Sequence, residues 1–110
     1  MNIVKPLEIL ALSSDEQIKY LKKIGTYPST DELALQFEDA YVKLVGDYNE
    51  GIASSTKNQK LLEDMKNINE ILNYMSDSKL LRSWNVESLN EEHWNQVRLL
   101  ASNILKKYEI

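Results

Sequence analysis

Apolar side chains return along this chain every three or four residues, and little interrupts them: its 110 residues include three glycines and two prolines. Folds built from strands and turns need denser punctuation, whereas this spacing gathers apolar groups on one face of a helix. The clearest run is Leu61, Met65, Ile68, Leu72 and Met75, alternating four and three. It lasts only about two heptads, short of a sustained coiled coil. The pattern predicts an all-α protein, a single compact helical bundle of about four main helices plus short ones, spanning residues 1–110 as one domain.

Helix-start and helix-stop chemistry divides the pattern. Pro6 suits the first turn of a short helix through Leu12, where a backbone N–H has no helical partner to lose. Ser13 and Glu16 fit a capping box, Ile18, Leu21 and Ile24 form the apolar stripe that follows, and Gly25 offers a left-handed stop. After Tyr27–Pro28, where the residue before proline is held extended, Ser29 and Glu32 offer a second box, with Thr30 as an alternative cap. A long helix to Tyr48 or Asn49 follows, with Leu33, Phe37, Ala40, Tyr41, Leu44, Val45 and Tyr48 as its stripe. Gly46 inside it costs about 1 kcal/mol against alanine and marks a place where the helix could end or bend. A loop from Gly51 to about Thr56 leads to a helix over Lys57–Met75, then a short one over Lys79–Trp84. A last helix, capped by Ser88 or Asn90, carries Trp94, Val97, Ala101, Ile104, Leu105 and Tyr108.

Composition excludes several classes. With 43% apolar residues the chain has material for a core and is not disordered. It has no cysteine, which removes disulfide scaffolds and cysteine-ligated zinc modules. A net charge of −4 is wrong for a coat on nucleic acid. Lys5, Pro6 and Glu8 break the opening apolar stretch that a secretory signal requires, and no run approaches the length of a membrane span. We expect a cytoplasmic protein with no membrane and no nucleic-acid partner.

Groups able to do chemistry are scarce. His93 is the lone histidine and borders the last stripe, as a boundary residue packing one ring face. No G-x-S-x-G turn supplies a nucleophile. The acidic pairs Asp15–Glu16, Asp31–Glu32 and Glu91–Glu92 lie in first turns, where capping and the helix dipole account for them. A di-metal bundle site needs repeated Glu-x-x-His, and position 90 is asparagine. The two helices around Gly25–Pro28 are spaced like a helix-turn-helix, but the second opens with Asp31 and Glu32, which repel phosphate. No catalytic residue, cofactor or metal is therefore expected.

The charge itself is uneven. Residues 1–25 carry four bases and three acids, and residues 57–110 eight of each. Between Thr26 and Thr56 stand six acids, Asp31, Glu32, Glu38, Asp39, Asp47 and Glu50, against Lys43 alone. On the side of this helix opposite its stripe lie Leu35 and Val42, seven residues apart. Either the helix is central and packs on both sides, or Leu35 and Val42 are exposed anchors inside an acidic rim, the anatomy of a protein interface. In the second case Asp31, Leu35, Glu38, Asp39, Val42, Asp47 and Glu50 form a partner-binding site. Tyr27 would add area, while Tyr41 and Tyr48 face the core.

The run Leu12–Tyr41, LSSDEQIKYLKKIGTYPSTDELALQFEDAY, resembles the small helical immunity proteins of bacterial toxin–immunity systems, above all those of contact-dependent growth inhibition. The resemblance implies a non-enzymatic protein that binds the toxin domain of its cognate system and blocks its active site. Many such toxins are nucleases, RNases among them, and a basic nuclease partner agrees with the acidic segment. A monomer is expected. The alternative is a helical adaptor or regulator, paired through the Leu61–Met75 seam.

Overall fold

The structure, a computed structural model, describes residues 3–51, 55–77 and 86–108. Among them are five α-helices: α1 (Val4–Ala11), α2 (Ser14–Ile24), α3 (Asp31–Asn49), α4 (Thr56–Asp77) and α5 (Glu92–Lys107), with a 3₁₀ helix at Val86–Asn90. The chain is a small all-α bundle, as its periodicity predicts. The short helix expected over Lys79–Trp84 lies outside the described residues, as does most of the loop before α4.

Local chemistry sets most boundaries. Pro6 is the third residue of α1, where its missing N–H costs nothing. Ser13 is extended and its Oγ accepts from the Glu16 backbone N–H at 3.3 Å. The return half of the predicted box is replaced by a contact between Glu16 and Lys19 at 3.6 Å. Gly25, at φ 81°, closes α2 with paired bonds, Gly25 N–H to Lys22 O and Thr26 N–H to Leu21 O, as left-handed glycine stops do.

Two expectations at helix boundaries fail. The box between Ser29 and Glu32 does not form: Ser29 Oγ accepts from the Asp31 N–H at 3.2 Å, and Thr30, the residue before the helix, makes no capping bond with its side chain. α3 runs to Asn49, the end its stripe predicts, and Gly46 does not interrupt it. Neither Ser88 nor Asn90 caps α5. The 3₁₀ helix moves the boundary on to Glu91, and Ser88 Oγ is instead buried and accepts from the Trp94 indole N–H at 3.1 Å.

Packing runs round a ring, with α1 on α3, α3 on α4, α4 on α5 and α5 on α1. Leu61, Met65, Ile68, Leu72 and Met75 of α4 are all buried in its centre, with Leu33, Phe37 and Leu44 from α3 and Trp94, Val97, Ala101 and Ile104 from α5. The α4 seam is therefore filled from within one chain and offers nothing to a second copy. Tyr108 closes one end: its hydroxyl donates to Asp64 Oδ2 at 2.6 Å, beside Lys107 Nζ at 3.0 Å.

α2 lies outside the ring, and its attachment departs from the sequence pattern. Ile24, assigned to the stripe, is 39% exposed, while Gln17 is fully buried. Its amide donates to Ile9 O and Leu10 O, both at 3.1 Å, at the carbonyl end of α1. Its Oε1 accepts from Arg98 Nη2 at 2.9 Å. Arg98 also donates to Leu12 O at 2.8 Å, Leu89 O at 3.0 Å and Asn95 Oδ1 at 2.6 Å. Burial lowers the Arg98 pKa from its ordinary value, and arginine stays charged even so.

Two predictions follow from these contacts. Arg98→Met keeps the stem and removes the donors to α1, α2 and the 3₁₀ helix. The loss is expected to be roughly 2–4 kcal/mol, since partly buried acceptors are left unpaired, and urea unfolding measures it. For Asp64, burial raises the carboxyl pKa, but the hydrogen bonds from Tyr108 and Lys107 and the Lys107 charge outweigh it and hold it below its ordinary value. A carboxylate with a lowered folded pKa stabilises above its unfolded value, and that contribution is lost as pH falls through the folded one. Asp64→Asn should cost on the order of 1 kcal/mol at neutral pH, with the difference closing in melts taken below about pH 4.

Candidate functional site

Helix α3 has two faces. Inward, Leu33, Ala34, Phe37 and Leu44 are buried, and the Phe37 and Tyr41 rings stack at 5.8 Å and 10°. Outward, Leu35 is 48% exposed and Val42 67% exposed. This decides between the two readings of the helix: it is not packed on both sides, and Leu35 and Val42 stand on the surface.

At about 100° per residue, Asp31, Glu38, Asp39, Gly46, Asn49 and Glu50 share the outward side with these two. All but the partly buried Glu38 are exposed. The resulting strip is apolar along its middle and acidic on its flanks. Asp47 falls elsewhere, about 120° round from Leu35. It is partly buried and pairs with Lys43 at 3.5 Å, so the segment's one lysine is occupied and Asp47 adds little free charge. Glu32 also leaves the strip, its Oε1 accepting from Gln36 Nε2 at 3.4 Å while Gln36 bonds the Tyr20 hydroxyl at 2.7 Å. Four acids, Asp31, Glu38, Asp39 and Glu50, remain directed outward.

Glu38 is the perturbed member. Its pKa is raised, first by burial and then by the negative charge of Asp39. Among the described residues it forms no ion pair. With Asp31, Ala34, Leu35 and Ser76 of α4 it lines a shallow depression of about 300 Å³.

A larger groove of about 720 Å³ adjoins the strip between α1 and α3, walled by Lys5, Pro6, Glu8, Asp39, Ala40 and Lys43. Sequence periodicity could not reveal it, because it depends on how α1 lies across α3. Tyr41 and Tyr48 are partly buried, as expected. Tyr27 is 47% exposed in the turn before α3, with Lys22 Nζ 4.9 Å from its ring centre.

His93 lies against Tyr74, ring centres 5.2 Å apart, beside a depression lined by Asn67, Glu70 and Ile71. It is the boundary residue that its position suggests. Among the described residues no three histidine or acidic side chains converge on a point that could hold a metal ion, and no helix is long and apolar enough to cross a membrane. In comparisons with known proteins, no family model, curated protein or solved structure matches the chain.

The position of Glu38 gives a prediction with a definite sign. A carboxyl whose folded pKa is raised destabilises the fold where it is ionised, above that pKa, and not where it is protonated. Glu38→Gln should therefore melt no lower than the parent at pH 7, and any gain should vanish in acid. A lower melting temperature at pH 7 would mean that Glu38 is paired with a cation.

Proposed function

We propose that this chain is an immunity protein. In this reading it acts as a non-enzymatic, cytoplasmic monomer. It binds the toxin domain of a cognate contact-dependent growth inhibition system, a basic nuclease, and occludes its active site. The observation that carries the reading is the outward strip of α3, where Leu35 and Val42 stand exposed in line among four acids. Exposed apolar side chains are ordinary when scattered. Aligned within one sign of charge, they have the apolar centre and charged rim of a recognition surface.

The sign of the charge narrows the partner. A nuclease cleft is cationic because its substrate is anionic, and an acidic surface steers such a cleft towards itself and speeds association. The resemblance of Leu12–Tyr41 to immunity proteins of these systems covers the turn leading into α3 and the first half of that helix, with Asp31, Leu35, Glu38 and Asp39 of the strip; Val42 and Glu50 lie beyond it.

The test uses the C-terminal domain encoded by the reading frame immediately upstream. Equimolar protein should abolish its cleavage of RNA or DNA. The Glu38→Lys, Asp39→Lys double variant should slow association by roughly tenfold at low salt while keeping the parent's circular dichroism. Full cleavage at saturating protein would overturn the proposal, and binding without inhibition would place the chain with adaptors instead.

A further inference from the structure

Among the described residues nothing requires a glycine at position 46. It lies inside α3, four residues after Val42 and three before the helix ends, on the same outward strip. A glycine inside a helix lowers its stability relative to alanine, and such a residue is accounted for by a turn, a positive φ or a close approach of other atoms. None applies among the described residues. The helix continues through the residue, its φ is not in the left-handed region, and a Cβ built there meets nothing within 4 Å among the described residues. The space that the missing side chain leaves opens outward, beside Val42.

The apolar anchors carry a second regularity. Leu35 and Val42 are one heptad apart, about 10.5 Å along the axis, and Asn49 continues the same register. Asp31 and Glu38 occupy the alternating seam position. This is the spacing by which one helix receives the side chains of another, here with acids where an ordinary seam would be apolar.

Resting on the reading of α3 as the toxin-binding face, we infer that the partner presents a basic amphipathic helix that packs along α3, its backbone closest at Gly46. Its apolar side chains lie against Leu35 and Val42, and its lysines and arginines meet Asp31, Glu38, Asp39 and Glu50. Helix-in-groove recognition reads anchors at such helical spacings. The 19 residues of α3 span about 28 Å, so one helix against this strip covers less than the roughly 800 Å² per partner of a stable complex. The helix alone should bind weakly, and the groove between α1 and α3, which shares Asp39 with the strip, is where the rest of the partner would extend.

The test needs no toxin. The probe is a synthetic helical peptide about three heptads long, with leucine at every seventh position and lysine and arginine flanking it. The control has the same composition in scrambled order. Titrated into the ¹⁵N-labelled protein, the ordered peptide should shift amide signals from Asp31 to Glu50 and bind at least about tenfold more tightly than the scramble. Gly46→Gln should raise the melting temperature, because glutamine favours helix over glycine, and yet weaken the peptide by about tenfold. The Leu35→Ser, Val42→Ser double variant should weaken it similarly with its melt unchanged.

Equal binding of both peptides, no binding of either, or an affinity untouched by Gly46→Gln would overturn the helix mode. Failure here together with intact inhibition of the nuclease removes only this mode of docking. Failure of inhibition with the peptide results intact removes the toxin assignment and leaves the helix-binding face standing.

Discussion

The bundle depends on how the carbonyl end of α1 is satisfied. An α-helix leaves its last four carbonyls without helical partners, and α1 has no basic residue in its final turn. It is also wedged between α3 and α5. Gln17 supplies two donors to Ile9 O and Leu10 O, and Arg98 reaches Leu12 O from the opposite end of the chain. One guanidinium thereby joins α1, α2, the 3₁₀ helix and α5, without a carboxylate partner among the described residues. Cations favour the negative end of a helix dipole, so partial charges on carbonyls stand in for a counter-ion. The same contacts hold α2 against the ring, to which it adds the buried Leu21 and the partly buried Ile18 and Tyr20.

With α1 fixed, α3 has one side committed to α1 and α4 and the other left to solvent. That division makes the acidic segment functionally legible. Charge spread through a core would have to be paired or neutralised. On the free side of a helix it remains ionised and acts on whatever approaches. Lys43 and Asp47 cancel each other beside this strip, leaving an outward charge smaller in extent than the sequence count but cleaner in sign.

Much of the fold could be read from the residues. Every member of the Leu61–Met75 seam is buried, because a four–three alternation has only one way to sit on a helix. Ser13 and Gly25 mark the ends of α2 because their chemistry is local. What escaped the reading was non-local. Gln17 looks like a surface residue because its partners lie on two other helices, one of them 81 residues away. Ile24 fits a three-residue spacing but falls where α2 has left the ring. Ser88 has a capping residue's chemistry, yet its hydroxyl serves the Trp94 indole. At the candidate site, the sequence located the strip and its charge. It could not show whether Leu35 and Val42 were covered, since exposure on a helix is decided by its neighbours, and it misplaced Asp47, whose position in the count says nothing of its direction.

The ring has a consequence for how the protein comes into being. Helix α1 packs on α5, and the bond from Arg98 to Leu12 spans 86 residues. During synthesis α1 through α4 are translated before the helix that closes them. Contacts of such sequence separation form late, and domains fold as units once their chain is available. The ring therefore cannot close, nor Arg98 hold the end of α1, until α5 has been made. It then closes as a whole, and the strip on α3 gains its rigid support at the same moment.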